Sequence, residues 1–290
     1  MALYERLLVP TDGSTVSAAA GETAVAVADR FGATLHVVHV LEPIELPPDL
    51  DGTEAFDRQD NDVPAGIEAI AADAGVETRT ATLEREESVH RTILDYVDEH
   101  GIDCIVMGTH GRSGLEHLVL GSVTELTLRQ SPVPVMTVHE DTIVDPTFDT
   151  VVVPTDGSDC ATAAVRHAID LATSTGAALH VVNVVDLGAL WGGSDVAGVL
   201  DALEDAGERA LESVRERAEA AGVSSVVGSC LSGTPHRAIV EYAEANDADC
   251  IVMGTHGRTG LNRLLLGSVT EWVIRHTDVP VLAVREVSDD

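Results

Sequence analysis

The sequence predicts an α/β protein with two tandem, open, doubly wound parallel sheets of five strands each, paired about a pseudo-two-fold axis. The first observation behind this prediction is an internal repeat. Residues 104–138 align with residues 250–284 without a gap, and 23 of the 35 positions are identical. The second observation is that short apolar runs alternate with segments of helical periodicity in both halves. This alternation is typical of parallel sheets that helices cover on both faces.

The repeat also predicts the domain boundaries. The motif that begins at Leu8 occurs again 144 residues later at Val152, so each unit has the size of a domain rather than of a solenoid repeat. We predict a first domain over residues 1–141, a linker over residues 142–150, and a second domain over residues 151–290. Pro146 lies within the predicted linker.

The order of elements is clearest in the second half. Its apolar runs predict five strands, at residues 151–154, 178–185, 223–230, 250–254 and 279–284. Helical spacing between these runs predicts four helices, at residues 160–173, 196–221, 236–245 and 268–276. The first half follows the same order. Its acidic, proline-containing segment 42–62 predicts a loop, which shortens the next helix to residues 64–74.

Each half ends in a Val-Pro-Val motif, at residues 133–135 and 279–281. Proline inside a strand is typical of an edge position, where its missing N–H disrupts no ladder hydrogen bond. The two edges could pair with each other, or they could remain separate.

The composition limits the classes of function. The net charge is −32, from 49 acidic and 17 basic residues, which disfavours binding to nucleic acid or to anionic membranes. The apolar fraction of 44% argues against disorder. An acidic surface of this kind indicates adaptation to high salt, where the Debye length falls to about 3 Å at 1 M. Ordinary acidic solubility is the alternative.

Lysine and cysteine usage exclude further chemistry. The sequence has no lysine, which excludes a P-loop lysine, a kinase lysine and a Schiff base. None of the four cysteines forms a C-x2-C pair, so a zinc site is not expected. Cys104 and Cys250 are repeat equivalents, and we expect them to be small buried hydrophobes.

The beginning of the sequence lacks a signal-peptide pattern, and no apolar run reaches 18 residues. We therefore expect a soluble, cytoplasmic protein.

Three features of each half should meet beyond the carboxyl ends of the strands, where open α/β sheets bind their ligands. The first is a G-x2-G-x9-G-S loop, whose glycines let backbone N–H groups approach a ligand closely. The second is the start of the last helix, where S-x-x-E predicts a capping box with Ser122 or Ser268 as the cap. The third is Asp12 or Asp156, placed to hold a ribose hydroxyl or Mg²⁺.

A helix N-terminus offers free N–H groups and partial positive charge, which favour a phosphate. Each feature alone has a structural alternative: a helix cap, an Asx turn or a simple glycine turn. Arg112 and Arg258 could reach phosphate oxygens or remain solvated. His110 and His256 fit a packing or polar-contact role better than a catalytic one.

These motifs together resemble the universal stress protein family. The resemblance is carried by V-P-T-D-G-S, by the strand endings His39-Val40 and Asn183-Val184, by G-T-H-G-R-[ST]-G-L, by L-G-S-V-T-E and by the closing V-P-V. It covers both halves, and the glycine spacing is that of the ATP-binding branch. The resemblance implies a Rossmann-like domain of the adenine nucleotide alpha hydrolase-like type.

The resemblance also implies roles for individual residues. Asp12 and Asp156 would contact the ribose and a metal, and the backbone of Val40 and Val184 would contact adenine. The glycine loops and the serines that follow them would bind the phosphates. The implied nucleotide-binding residues of the first half are Pro10, Thr11, Asp12, Val40, Met107, Gly108, His110, Gly111, Arg112, Gly121, Ser122 and Val123. Those of the second half are Pro154, Thr155, Asp156, Val184, Met253, Gly254, His256, Gly257, Arg258, Gly267, Ser268 and Val269.

The resemblance implies ATP or another adenine nucleotide as ligand, with Mg²⁺ as an inference from the carboxylate and phosphate together. It also implies that the two halves pair within the chain, and it leaves a further homodimer open. One departure concerns the first half, where Glu86 and Glu87 replace the family-like turn Ser232-Gly233. We expect these carboxylates to weaken or reshape the first site.

Three hypotheses follow for function. The leading one is an ATP-binding stress-response protein, a ligand-controlled regulator with at most slow ATP hydrolysis. The second is a phosphoryl- or adenylyl-transfer enzyme, which would need a positioned base that the motifs do not supply. The third is a scaffold that binds no nucleotide, in which the glycines only shape turns.

Overall fold

The computed structural model describes residues 2–41, 63–85, 87–111, 120–142, 145, 147–186, 196–256 and 266–286. The chain divides into two compact units, Met1–Thr142 and Ile143–Asp290. The predicted loop 42–62 and the residues Glu86, Arg112, Pro146, Gly257 and Arg258 lie outside the described residues.

The first unit is a five-stranded parallel sheet with helices between its strands. Its strands are β1 (Arg6–Pro10), β2 (Thr34–Leu41), β3 (Thr78–Glu84), β4 (Cys104–Gly108) and β5 (Val135–Val138). Its helices are α1 (Thr15–Phe31), α2 (Ala65–Ala74), α3 (Val89–His100) and α4 (Ser122–Gln130). The strand order is β3-β2-β1-β4-β5. The order reverses direction between β1 and β4, which is the switch point of a doubly wound sheet.

The second unit repeats this arrangement. Its strands are β6 (Thr150–Pro154), β7 (Ala178–Asp186), β8 (Val226–Gly233), β9 (Cys250–Gly254) and β10 (Val281–Val284). Its helices are α5 (Asp159–Thr175), α6 (Val196–Ala220), α7 (Pro235–Ala245) and α8 (Ser268–His276). The strand order is β8-β7-β6-β9-β10. The predicted fold class, an α/β protein with two doubly wound sheets, is therefore confirmed.

Strand registers match between the units. Leu8 pairs with His36 in the first unit, and Val152 pairs with His180 in the second. The central strands have apolar, fully buried interiors: Leu7 and Leu8 in β1, and Ile251 in β9, have no exposed surface. Continuous apolar strands of this kind need helices on both faces, which the α/β alternation supplies.

The first helix of each unit begins in the same way. Ser14 and Ser158 are the N-caps of α1 and α5, and their hydroxyls accept hydrogen bonds from the N–H groups of Ser17 and Ala161 at 3.2 Å. The following helices bury small apolar residues against the central strands. The motif that ends in D-G-S therefore fixes the point at which each first helix begins.

Both predicted boundaries of the third strand in the second unit were wrong, and the strand ends at Gly233 rather than at residue 230. The third strand of the second unit begins at Val226 and not at residue 223. The N–H of Val223 instead donates to the carbonyl of Ala218 at 3.0 Å, and the preceding Gly222 has a φ of +93°. Val223 thus closes the end of α6, which delays the strand.

The Val-Pro-Val motifs do not place proline inside a strand. Strands β5 and β10 begin directly after Pro134 and Pro280. Each proline contributes only its carbonyl oxygen to the hydrogen bonds between strands. The oxygen of Pro134 accepts from the N–H of Ile105 at 3.0 Å, and that of Pro280 accepts from the N–H of Ile251 at 2.9 Å. A proline at this position needs no N–H, so it introduces the last strand of each unit without disrupting the ladder.

None of the described helices is long and apolar enough to cross a membrane. Cys104 and Cys250 are buried at the start of β4 and β9, as predicted.

Candidate functional site

A cavity of about 560 Å³ lies at the carboxyl ends of β1, β2 and β4 in the first unit. Every described residue that the sequence assigned to this site lines the cavity. These residues are Pro10, Thr11, Asp12, Val40, Met107, Gly108, His110, Gly111, Gly121, Ser122 and Val123. The remaining one, Arg112, lies outside the described residues.

Asp12 serves the turn after β1 as well as the cavity. Its Oδ1 accepts hydrogen bonds from the backbone N–H of Ser14 at 3.0 Å and from the Ser14 hydroxyl at 2.6 Å. This is the Asx turn that was the alternative to a binding role. The turn role and a binding role of Asp12 are compatible, because the same side chain lines the cavity and is only partly buried.

The glycines of the loop allow close packing around this carboxylate. A Cβ on Gly111 would collide with Asp12 Oδ2, and a Cβ on Gly108 would come within 2.6 Å of Val16 Cγ1. The N–H of Gly121 donates to the carbonyl of Thr109 at 2.8 Å. That bond joins the residue directly after β4 to the residue directly before α4.

The helix that follows the loop begins with a glycine cap. Gly121 is the N-cap of α4, with a φ of −64° and no side-chain hydrogen bond, and Ser122 is the first helical residue. The prediction that Ser122 caps the helix was therefore wrong, and so was the same prediction for Ser268, which follows the cap Gly267.

The capping box fails because its glutamates have other partners. Glu125 pairs with Arg129 and Glu271 with Arg275, one turn further along each helix. A glycine cap has no side chain to satisfy the first-turn N–H groups, which have no partner within the helix. The first-turn N–H groups of α4 therefore lie at the end of the helix that borders the cavity. Ser122, the first residue of the helix, lines the cavity there.

Thr124 fixes the position of this helix end. Its hydroxyl donates to the carbonyl of Gly108 at 2.8 Å, and Thr270 makes the same bond to Gly254 at 2.7 Å. The helix N-terminus is thereby attached to the last residue of the central strand. The sequence analysis did not single out either threonine, although both belong to the repeated L-G-S-V-T-E motif.

His39 is a second residue that the sequence analysis did not assign to the site. Its Nδ1 lies 2.7 Å from the carbonyl oxygen of Thr11, and the ring is buried at 4% exposure and lines the cavity. A polar residue within the apolar strand β2 was the available signal. Further lining residues outside the prediction are Ser17, Val38, Val89, Ile93 and Thr124.

The second unit has a cavity of about 360 Å³ in the equivalent place. Again, every described residue assigned from the sequence lines it. These residues are Pro154, Thr155, Asp156, Val184, Met253, Gly254, His256, Gly267, Ser268 and Val269. Gly257 and Arg258 lie outside the described residues. The lining residues that were not predicted are Ala161, Val182, Asp186, Pro235, Ile239 and Thr270.

The turn around Asp156 repeats the geometry of the first unit. Asp156 Oδ1 accepts from the N–H of Ser158 at 2.9 Å, and Gly267 N–H donates to the carbonyl of Thr255 at 2.7 Å. Asn183 takes the place of His39, and its Nδ2 donates to the carbonyl of Thr155 at 2.7 Å. A Cβ on Gly254 would come within 2.8 Å of the Cys160 carbonyl oxygen, so the strand end requires glycine here as well.

Glu86 and Glu87 were expected to weaken or reshape the first site, and the structure describes the position of Glu87. Glu87 lies in a separate surface depression with Arg91, Thr92 and Asp95. The described wall of the first cavity at this point is formed by Val89 and Ile93 instead. Glu87 therefore does not enter the described cavity lining, and Glu86 lies outside the described residues.

Two titratable groups near the second cavity have shifted pKa values. Burial lowers the pKa of His236, with Arg237 and His276 acting in the same direction and Asp186 opposing them. Burial raises the pKa of the Cys160 thiol, which a backbone hydrogen bond from Glu286 partly offsets. Both shifts favour the neutral form of the side chain.

The described residues contain no cluster of three or more histidine, cysteine, aspartate or glutamate side chains that could hold a metal ion. Among the described lining residues, Asp12 is the carboxylate of the first cavity, and Asp156 and Asp186 are those of the second. Mg²⁺ is commonly held by one or two carboxylates together with substrate phosphates. These carboxylates therefore fit a metal ion that is coordinated jointly by the protein and a bound ligand. They do not fit a metal site that the protein builds alone.

The fold and these cavities define a class: an α/β protein of two tandem domains, each with a ligand-sized cavity at the carboxyl edge of a parallel sheet. Residues 3–139 and 147–285 each match the model of the universal stress protein family. The chain belongs to the universal stress protein family and carries the family's domain twice.

Similarities in sequence and in structure to other universal stress proteins support this assignment. The chain is 30% identical to a universal stress protein of Mycolicibacterium smegmatis, over 96% of each chain. It is 41% identical over 142 residues to universal stress protein MJ0531 of Methanocaldococcus jannaschii, covering 48% of this chain and 83% of that one. The crystal structure of a universal stress protein from Archaeoglobus fulgidus is similar with a TM-score of 0.75 and 27% identity, over 99% of this chain and 100% of that one.

Proposed function

We propose that each unit binds one adenine nucleotide, ATP being the leading candidate, and that the protein is a nucleotide-dependent regulator in a stress response. The observation that carries this proposal is the glycine-capped start of α4 and of α8. In both units it borders a cavity that an aspartate from the turn after the first strand also lines.

The chemistry of the cavity matches the parts of a nucleotide. First-turn N–H groups at a helix N-terminus carry partial positive charge and suit a phosphate. The apolar wall formed by Val40, Met107 and Ile93 suits an adenine ring, while Asp12 offers a carboxylate for a ribose hydroxyl or a shared Mg²⁺. The second cavity offers Val184, Met253 and Ile239 in the same roles.

We propose at most slow hydrolysis of the bound nucleotide. Fast phosphoryl transfer needs a positioned base and strong charge stabilisation in the transition state. The chain has no lysine, and Asp12 is already engaged by two hydrogen bonds from Ser14. The proposal also retains domain boundaries at residues 1–141 and 151–290, and a cytoplasmic protein that binds neither nucleic acid nor membranes.

Calorimetric titration of ATP into the full chain in molar KCl, with and without Mg²⁺, tests this function. We expect two sites, one of which is lost in Gly121→Val and the other in Gly267→Val. In the first unit, a Cβ at residue 121 already lies 3.1 Å from the Cα of His110, so a valine would displace the loop.

GTP and cAMP serve as comparison ligands. The choice of cAMP follows a universal stress protein whose structure was solved in complex with cAMP, 30% identical to 48% of this chain with a TM-score of 0.37. Absence of heat with every nucleotide, in a protein whose circular dichroism shows it folded, would overturn the proposal in favour of a scaffold. Turnover well above once per minute that depends on Asp12 and Asp156 would favour the transferase hypothesis.

We further propose that the surface is adapted to high salt. A net charge of −32 on 290 residues causes self-repulsion that molar salt screens. Circular dichroism during dialysis from molar KCl to dilute buffer should show loss of structure. An unchanged spectrum and melting temperature in dilute buffer would contradict this adaptation.

A further inference from the structure

β8 is the outermost strand of the second unit. Among the described strands it pairs with β7 only, in parallel and over its whole length. The N–H of Leu179 on β7 donates to the carbonyl of Ser225, directly before β8, at 2.9 Å. Because the direction of the backbone groups alternates along a strand, this register turns every second residue of β8 away from β7. The outward N–H and C=O groups belong to Val226, Gly228, Cys230 and Ser232.

This edge lacks the features that normally protect an edge strand. The sequence of β8 is V-V-G-S-C-L-S-G, without a charged residue, although 23% of the whole chain is charged. Gly228, Cys230 and Ser232 are exposed and small, so another backbone can approach their N–H and C=O groups. Edge strands are usually blunted by charges, proline or bulges. The corresponding strand of the first unit, β3, contains Arg79 and Glu84.

A groove of about 590 Å³ lies beside the edge, between α6 and the sheet. Val181, Leu211 and Val226 are its apolar residues. Gly228 also lines it, and a Cβ there would meet the Cβ of Leu211 at 3.7 Å, so the missing side chain leaves the groove open. Val227, the next residue along β8, is 39% exposed. A strand added at this edge would therefore cover apolar surface as well as form backbone hydrogen bonds.

The rim of the groove has an excess of negative charge. Its charged residues are Asp205, Glu208, Arg209, Glu212 and Arg215. Arg215 Nε donates to Glu219 at 2.9 Å, so the charge of this arginine is partly compensated already. Burial raises the pKa of the Cys230 thiol, and the nearby charges of Glu204 and Glu208 raise it further. Carboxylates of α6 therefore border the uncharged edge, and they complement a cationic partner.

We propose that β8 binds an extended, basic peptide segment of a partner protein by strand addition. The backbone of the segment would pair with the outward groups of β8, its arginine or lysine side chains would lie near Glu208 and Glu212, and its apolar side chains would cover the groove. A second copy of this chain fits the edge less well, because each copy has a net charge of −32 and the acidic rims would approach one another. The proposal does not depend on nucleotide binding.

The probe is a fluorescent peptide of sequence Val-Arg-Val-Arg-Val-Arg-Val with blocked ends. A peptide with glutamate in place of arginine controls for charge. A peptide with proline in place of the inner valines controls for backbone pairing, because proline has no N–H and cannot form the ladder. Fluorescence anisotropy with the full chain measures dissociation constants, at the lowest KCl concentration at which circular dichroism shows the chain folded and again in molar KCl.

We expect saturable binding of the arginine peptide only. Binding should weaken in molar KCl, where the Debye length falls to about 3 Å. Alkylation of Cys230 should slow in proportion to the occupied fraction, by about tenfold when nine tenths of the chains carry peptide. The half-buried Cys160 on α5 is the internal control, and its alkylation rate should not change.

Three variants locate the contact. Cys230→Lys places a charge on the edge and should weaken peptide binding by at least about tenfold. Glu208→Gln should weaken it by roughly twofold to fivefold, the range for one exposed ion pair. Glu216→Gln is the matched control on the same helix, because Glu216 is exposed and is not among the described residues of the groove. If Cys230→Lys does not fold, Ser232→Lys replaces it at the next outward position.

Each contrary outcome overturns the proposal in a different way. Absence of saturable binding up to about 1 mM arginine peptide would show that the edge binds no such segment. Equal binding of the proline peptide, with Cys230 unprotected, would show electrostatic adsorption without strand addition. A dimer in sedimentation velocity that protects Cys230 without peptide, and that Cys230→Lys dissociates, would assign the edge to a second copy of the chain.

Discussion

His39 Nδ1 lies 2.7 Å from the carbonyl oxygen of Thr11, the residue that directly precedes the cavity aspartate Asp12. The ring joins the end of β2 to the turn after β1, and both are buried at this point. Through this contact the end of β2 fixes the position of the turn that carries the Asp12 carboxylate. The amide of Asn183 gives the second unit the same connection to Thr155.

Replacing His39 with leucine should therefore weaken both the fold and the first site. The Thr11 carbonyl would lose its buried partner, and an unsatisfied buried acceptor costs about 1–3 kcal/mol. We expect a loss of that size in the free energy of unfolding, measured by chemical denaturation in high salt. We also expect weaker ATP binding in the first unit, measured by calorimetry.

His39→Asn is the matched control, because the second unit shows that an asparagine at this position reaches the same carbonyl. It should retain most of the stability that His39→Leu loses. Equal losses in the two variants would show that the ring acts through its volume and not through its hydrogen bond.

Gly111→Ala should impair binding in the first unit with little effect on stability. The new Cβ would collide with Asp12 Oδ2, so the carboxylate has to turn away from its present position in the cavity. Calorimetry should show one ATP site fewer or a first site at least tenfold weaker, the ratio that corresponds to about 1.4 kcal/mol.

Gly66→Ala provides the comparison for this variant. Gly66 lies in α2, where an added Cβ meets no atom within 4 Å, and alanine favours helix over glycine by about 1 kcal/mol. It should leave both sites unchanged and slightly raise the melting temperature. Unchanged ATP binding in Gly111→Ala would show that the position of Asp12 does not matter for the ligand.

The serines at the helix starts should separate into two groups. Ser14 and Ser158 accept hydrogen bonds from first-turn N–H groups, so each serine-to-alanine change should cost about 1 kcal/mol of stability. Ser122 and Ser268 follow glycine caps and make no capping bond. Their alanine variants should stay within about 0.5 kcal/mol of the parent chain.

Chemical denaturation of the four alanine variants measures these differences directly. Because the Ser122 hydroxyl borders the cavity, Ser122→Ala should affect ATP binding more than it affects unfolding. A stability loss of about 1 kcal/mol in Ser122→Ala would contradict the glycine cap and support a capping box with Ser122 as the cap.

The Ser122 result shows where sequence reasoning stops. The S-x-x-E pattern is compatible with a serine cap or with a glycine cap one residue earlier, since both place a glutamate in the first turn. The choice depends on Glu125, which pairs with Arg129 and not with the helix start. Both partners lie at spacings that a helix allows, so the sequence alone does not show which of them Glu125 takes.

Other parts of the fold were predictable because they depend on local pattern. The apolar run at Cys250–Gly254 and the helix Ser268–His276 have the predicted boundaries, and a glycine ends the strand and precedes the helix. His39 was missed as a site residue for the opposite reason. Its neighbours Val38 and Val40 mark a buried strand, but only the three-dimensional approach of β1 shows that its ring meets Thr11.

The cysteines should react with thiol reagents in an order set by burial. Cys230 is exposed and Cys160 is half-buried, whereas Cys104 and Cys250 are buried in the central strands. Burial raises the pKa of the Cys250 thiol to about 12, so the reactive thiolate is scarce at neutral pH. Mass spectrometry after brief alkylation should show modification of Cys230 first and then Cys160.

Denaturant is the control for this experiment. All four cysteines should become modified in the unfolded chain, and Cys230→Ser should remove the fastest phase. Rapid labelling of Cys250 under native conditions would contradict the packing of β9 between its helices.

His167 on α5 should make the second unit sensitive to acid. Burial lowers the pKa of His167 to about 4, with Arg166 acting in the same direction, from an ordinary value of 6.5. The unfolded chain therefore binds a proton between these values that the folded chain does not bind. Stability from the neutral ring is fully present above pH 6.5 and is lost as pH falls from 6.5 towards 4, by up to about 3 kcal/mol.

The variant that tests this is His167→Thr, because Thr23 occupies the equivalent position of α1, 144 residues earlier, and is buried there. Denaturation between about pH 7 and about pH 4.5 should show a shallower loss of stability in His167→Thr than in the parent chain. The exposed His276, changed to glutamine, provides the reference for a histidine outside the core. The three proteins have the same carboxylates, so a difference between the curves isolates the ring of His167. Parallel curves for the parent chain and His167→Thr would mean that His167 accepts its proton equally well in the folded and unfolded states.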